Sequence, residues 1–137
     1  MKNKKKTILV SISSDIAQNL AMNVFNKHDI IGTYRNLNDK VLKLKSFKNI
    51  KLIKLDISNL KKLNSFFKIH NKDLKNWDNC IISSGSQFPV GKFENLNDND
   101  ISKSIDINFK NQMIFIKKIL PLRKKNQIKN VITWAGP

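Results

Sequence analysis

Along the chain, short runs of apolar residues take turns with longer segments in which apolar positions recur every three or four residues. The first kind suits buried strands, and the second suits helices that lay one face on a core. Strands are predicted at Thr7 to Val10, Asp29 to Thr33, Ile50 to Leu55, Asn79 to Ser83 and Asn130 to Trp134. Helices are predicted at Asp15 to Asn26, around Asn38 to Lys45, at Asn59 to Ile69 and from about Asn99 to Leu120. Asp15, Asn59 and Asn99 are N-cap candidates, because a short side-chain oxygen accepts from the free N–H groups of a first turn, and Pro121 stops the last helix. Four β-α units and a fifth strand, joined by short connections, predict an α/β fold: a Rossmann-like, doubly wound parallel sheet of about five strands with helices on both faces. One domain over residues 7–137 accounts for a length of 137, with residues 1–6 as a basic, solvated tail.

In an open parallel sheet, ligands bind beyond the carboxyl ends of the strands. The positions to search are therefore Ser11 to Asp15, Thr33 to Asn36, Asp56 and Ile57, Ser83 to Ser86, and Ala135 to Pro137. Each also has a plain structural role open to it. The stretch SISSDIA suits an ordinary capped turn from strand to helix, Arg35 a solvated surface cation, and Asp56 the start of the turn before the next helix. Asn108 ranks poorly inside a helix, and a solvent-facing position would explain it as well as a site would.

Charge alters this picture less than its size suggests. The net charge is +16, yet only Arg35 and Arg123 are arginines, and the lysines are scattered through every segment. Base readout and bidentate phosphate contacts favour arginine, and single-strand binding favours interleaved aromatics, so weak, nonspecific attraction to phosphates is expected and specific nucleic-acid binding is not. No apolar run approaches the length of a membrane span. The basic opening MKNKKKT is followed by too few apolar residues before Ser11 for a secretory signal, and the single Cys80 cannot form an internal disulfide. A cytoplasmic location is the expectation. His28 and His70 stand apart from each other and from Cys80, so no metal site is expected.

Read as a set, the strand ends resemble those of the short-chain dehydrogenase/reductase family, over Thr7 to Pro137. SISSDIA is similar to the family's Thr-Gly-x-x-x-Gly-x-Gly turn, with Ser11 at the threonine position and SSDIA where Ser-Ser-Gly-Ile-Gly is frequent. The resemblance implies cofactor contacts from Ser11, Ile12, Ser14, Asp15 and Ile16. Ile12, Asp15 and Ala17 replace glycines. Ile12 is the least suitable, because a β-branched residue disfavours positive φ, and the Asp15 charge is expected close to the cofactor phosphates. Arg35, where an acid would accept the ribose hydroxyls, implies NADP ahead of NAD. Asp56 and Ile57 resemble the pair that contacts adenine. Ile82, Ser83, Ser84 and Gly85 fall on Asn-Asn-Ala-Gly, which retains the glycine beside the cofactor and lacks the asparagine contacts that steady the sheet. Asn108 in IDINFKN matches the active-site asparagine, which in the family interrupts the helix locally and holds a water in a proton relay.

The implied activity is hydride transfer between a nicotinamide and a carbonyl or alcohol carbon of a small molecule, with a non-catalytic Rossmann-like nucleotide-binding or scaffold protein as the alternative. The long helix near Asn99 to Leu120 resembles one that joins family subunits, which implies a homo-oligomer for a complete member. The family's Tyr-x-x-x-Lys pair does not occur in these residues; Tyr34 is the one tyrosine. At the fifth strand, Ala135 and Gly136 fall about where a serine is expected, Thr133 is the nearest hydroxyl, and Trp134 would line a substrate pocket. The expectation is the cofactor-binding half of a longer enzyme, or a degenerate stub, without hydride transfer of its own.

Overall fold

A computed structural model describes residues 4–125 and 130–133. Five strands, β1 (Lys5–Val10), β2 (His28–Tyr34), β3 (Ile50–Lys54), β4 (Asn79–Ile82) and β5 (Asn130–Thr133), form one sheet in the order β3-β2-β1-β4-β5. Every pairing is parallel. Five helices accompany them: α1 (Asp15–Val24), α2 (Asp39–Leu44), α3 (Leu60–Ile69), α4 (Asp98–Ile105) and α5 (Asn111–Ile119). The doubly wound sheet is as the apolar pattern predicts. Trp134, Ala135 and Gly136 lie outside the described residues.

Alternation along the strands divides the core in two. Leu9, Ile30 and Ile50 meet Ala21 of α1 and Leu44 of α2 on one face. On the other, Ile8, Val10, Ile31 and Ile53 meet Leu63, Phe66 and Phe67 of α3 with Phe115 and Ile119 of α5. The Phe115 ring lies 5.0 Å from Phe67 and 6.3 Å from Phe66, which joins the two helices through aromatic contact. Trp77, fully buried just ahead of β4, donates its indole N–H to Ile119 O at 2.9 Å and so ties the start of that strand to the end of α5.

Several boundaries shift for local reasons. β1 starts at Lys5, two residues into the expected tail. Lys5 and Lys6 pair with His28 and Asp29, and Lys6 Nζ donates to the carbonyls of Asp73 and Lys75 at 2.7 and 2.8 Å. The cap of α1 is Ser14, whose Oγ accepts from Ala17 N, and Asp15 is the first helical residue. Asn59 caps α3 as expected, whereas Asn97 rather than Asn99 caps α4. The single long helix expected from Asn99 to Leu120 is instead α4, one wider π-turn over Asp106–Lys110, and α5.

Candidate functional site

The chain leaves β1 for α1, returns through β2 and β3 on one side, and then crosses to β4 on the other side of β1. Strand order therefore reverses between β1 and β4, which opens a crevice above their carboxyl ends. The crevice holds a cleft of about 240 Å³. Of the ten residues expected to contact a cofactor, Ser11, Ser14, Arg35, Asp56, Ile57, Ser84 and Gly85 line it. Ser13 and Ser83, within the strand-end stretches the sequence marked for search, line it too, as do Leu55, Ser58 and Ile107, which it did not mark. Their common signal is position: each adjoins a strand end or faces one across the crevice.

The turn between β1 and α1 forms without glycine by an arrangement unlike the expected one. Ser11, not Ile12, takes the left-handed backbone, with φ 63°. The N–H of Ser11 donates to Thr33 Oγ1 at 3.1 Å, and that of Ile12 donates to Thr33 O at 2.8 Å, which sew the turn to β2. Ile12 is fully buried and points away from the cleft. Its side chain occupies space that Gly32 leaves open: a Cβ on Gly32 would stand 3.1 Å from Ile12 Cβ and Cγ2 and closer still to Cδ1. Steric room missing from the turn is thus supplied by the neighbouring strand.

Asp15 also departs from expectation. Its carboxylate pairs with Lys40 of α2 and is absent from the cleft wall, so its charge is directed away from a ligand there. The Ile16 side chain is half-exposed and lies outside the cleft as well. What Asp15 and Ile16 offer is backbone: their N–H groups begin α1 with no protein acceptor among the described residues, while that of Ala17 goes to Ser14 Oγ at 3.2 Å. Such N–H groups at a helix start attract anions.

Serines replace the missing asparagine contacts between β4 and β1. Ser83 Oγ donates to Val10 O at 2.9 Å and accepts from Ser14 Oγ at 2.9 Å. One hydroxyl chain therefore links the helix cap, β4 and the end of β1. Next to it, Ser84 is buried and lines the cleft, and its Oγ has no hydrogen-bond partner among the described residues. An orphaned buried hydroxyl at a cleft wall suits a polar ligand atom. Asp56 starts the turn and lies on the cleft wall: Oδ1 accepts from Ser58 N at 3.1 Å and from Ser58 Oγ at 2.6 Å.

Asn108 sits within the π-turn and is exposed, as a solvent-facing position would be, yet its amide is fully engaged. Its Oδ1 accepts from Ser86 N at 2.8 Å, and its Nδ2 donates to Ser86 O at 2.9 Å and Ser104 Oγ at 3.1 Å. A local widening of the helix aims this amide at the loop that follows Gly85. Three residues on, Asn111 is buried and donates to Ile57 O at 2.9 Å, and Gln112 donates to Ser84 O at 2.8 Å. Asn108, Asn111 and Gln112 so fix the loops after β3 and β4, a set the sequence showed only at Asn108. Cys80 is sealed in the core, where burial pushes its thiol up to about 12, and it is not a nucleophile.

No family model matches the sequence, and no curated protein matches it. Solved structures match it closely in shape. A short-chain dehydrogenase from Streptomyces avermitilis is similar over 96% of this chain and 49% of that one, with TM-score 0.82 and 16% identity. A short-chain dehydrogenase/reductase from Saccharomyces cerevisiae is similar over 94% of this chain and 52% of that one, with TM-score 0.79 and 20% identity. The fold is that of the short-chain dehydrogenases. ElxO with NADP bound has this fold as well, similar over 95% of the present chain and 54% of its own, with TM-score 0.77 and 18% identity. The chain spans about half the length of these structures. Within the short-chain dehydrogenase fold, the described residues thus supply β1 to β5 and the crevice between β1 and β4.

Proposed function

We propose that the crevice binds a nicotinamide dinucleotide, NADP in preference to NAD, and that the protein serves hydride transfer to or from a carbonyl or alcohol carbon of a small molecule. The observation that carries this reading is the gathering of Ser11, Ser14, Arg35, Asp56, Ile57, Ser84 and Gly85, drawn from four strand ends, onto one cleft wall. The residues fit the group. The N–H groups of Asp15 and Ile16 face the place a pyrophosphate takes at the start of α1, and Ser84 Oγ awaits a partner. Gly85 has only Asn108 Oδ1 near its missing Cβ, at 3.4 Å, so backbone and ligand approach closely. ElxO holds NADP in the same fold.

The dinucleotide supplies the carbon that gives or takes the hydride. Arg35 has no ion-pair partner among the described residues and pairs with a phosphate on the adenosine ribose. Asp56, with Oδ1 engaged by Ser58, keeps Oδ2 for the adenine amine. Asn108 acts here as a positioning residue, since its amide holds Ser86 and with it the backbone beside Gly85. That full engagement favours a second reading, nucleotide binding without catalysis, in which Asn108 has no amide hydrogen left for a water relay.

Titration of the full chain with NADPH and NADH, followed by nicotinamide fluorescence, tests the binding. NADPH is expected to bind more tightly, and Arg35→Gln to remove about tenfold or more of that preference, the worth of one charge-assisted hydrogen bond. Equal, unsaturable signals with both would end the cofactor reading. Oxidation of bound NADPH by a panel of aldehydes and ketones separates the two readings, because binding alone leaves the cofactor reduced.

A further inference from the structure

α5 opens with two consecutive amides, Asn111 and Gln112, and both are buried, with 2% and 4% of their surface exposed. Successive residues of a helix point about 100° apart, so neighbours can serve two different walls. Asn111 Nδ2 donates to Ile57 O at 2.9 Å and to Ser58 O at 3.2 Å, in the loop after β3. Gln112 Nε2 donates to Ser84 O at 2.8 Å, in the loop after β4. Ile57, Ser58 and Ser84 line the cleft and neither amide does, so each amide acts on the cleft only through the loop it holds. Stability does not account for this arrangement. Asn111 shares a helix face with Phe115 and Ile119, both fully buried in the core, and an apolar residue at 111 would prolong that stripe. Instead Asn111 Oδ1 is buried with no partner among the described residues, which costs stability. The other buried side-chain atom without a partner among them, Ser84 Oγ, belongs to the residue whose carbonyl Gln112 holds. Gln112 thus fixes the backbone from which that hydroxyl meets the cleft.

We propose that Asn111 and Gln112 are positioning residues that set two parts of the cleft independently. Asn111 sets the adenosine end, through Ile57 and Ser58 beside Asp56, and Gln112 sets the stretch toward β4, through Ser84. These roles rest on the dinucleotide reading above, and they give each part of that site its own buried support. In the sheet, β3 and β4 lie on opposite sides of β1. A ligand confined to the adenosine end therefore meets only the wall that Asn111 holds, whereas a whole dinucleotide spans both.

Calorimetric titration of the full chain with adenosine 2′,5′-bisphosphate and with NADPH tests this division. Asn111→Leu is expected to weaken both probes about tenfold, whereas Gln112→Met weakens NADPH about tenfold and changes the bisphosphate less than about twofold. General loosening of the fold would not sort the two probes in this way. Thermal melts check that each variant is folded, and Asn111→Ala or Gln112→Ala replaces one that does not melt cooperatively. Equal losses of both probes in both variants, or no loss in either, would overturn the division, while binding of NADPH by the wild-type chain would still uphold the cofactor reading. A wild-type chain that binds neither probe removes the cofactor reading and the division with it.

Discussion

At the scale of single residues, Ile12 and Gly32 form one packing unit whose members lie on different strands' ends. The turn after β1 takes a bulky residue because β2 has none at the facing position. Gly32→Ala is therefore expected to cost about 1–3 kcal/mol by overpacking, and to cost much less in an Ile12→Ala background. Denaturant melts of both single variants and the double variant measure this coupling, and a Gly32→Ala cost independent of residue 12 would contradict it. His28 offers a second test. Its Nδ1 lies 2.7 Å from Thr7 Oγ1, and burial, followed by the Lys5 charge, holds its pKa below the ordinary 6.5, with Asp78 opposing and Lys27 reinforcing. The unfolded chain then binds more protons than the folded one between the lowered value and 6.5. Stability is full above 6.5 and declines as pH falls through that window. His28→Gln is expected to flatten the decline in melting temperature, and an unchanged slope would show that His28 does not drive it.

At the scale of elements, the break between α4 and α5 is what makes Asn108 useful. A continuous α-helix would turn its amide to another heading, whereas the π-turn over Asp106–Lys110 presents it to Ser86. Asn108→Ala removes three side-chain hydrogen bonds, two of them to the backbone of one residue. The expected loss is about 1–3 kcal/mol, with faster amide exchange confined to the loop after β4. Exchange that rises equally throughout α4 and α5 would mean that the amide supports the helix and not the loop. The same logic explains the serines. Ser14 and Ser83 join α1, β4 and β1 by hydroxyl contacts that no single element could display.

At the scale of the whole molecule, 26 basic residues face 10 acidic ones, and net repulsion opposes the compact state. The ion pairs in which lysines do take part lie at the surface, where each contributes little. Raising sodium chloride from about 10 mM to about 200 mM shortens the reach of repulsion from about 30 Å to under about 10 Å, so the melting temperature is expected to rise. A fall would mean that specific pairs outweigh the general repulsion. The same field favours anionic ligands over neutral ones at the cleft above β1 and β4.

Element types and their order were legible in the sequence because they depend on periodicity. The apolar runs Thr7 to Val10 and Asn79 to Ser83 are short enough to suit buried strands, and β-α alternation leaves few topologies for a parallel sheet. Asn59 marked the start of α3 for an equally local reason, since a cap acts within three residues. Tertiary structure alone decided what depends on contacts between distant positions. The glycines missing from SISSDIA looked damaging until Gly32 came to lie against Ile12, twenty residues later in the chain. Asp15 looked repulsive to a phosphate until Lys40 turned its carboxylate aside. The hold of Asn111 on Ile57 O and of Gln112 on Ser84 O could not be read from a helix whose apolar stripe looked like ordinary core, because a buried amide finds its partner only where distant loops come to meet it.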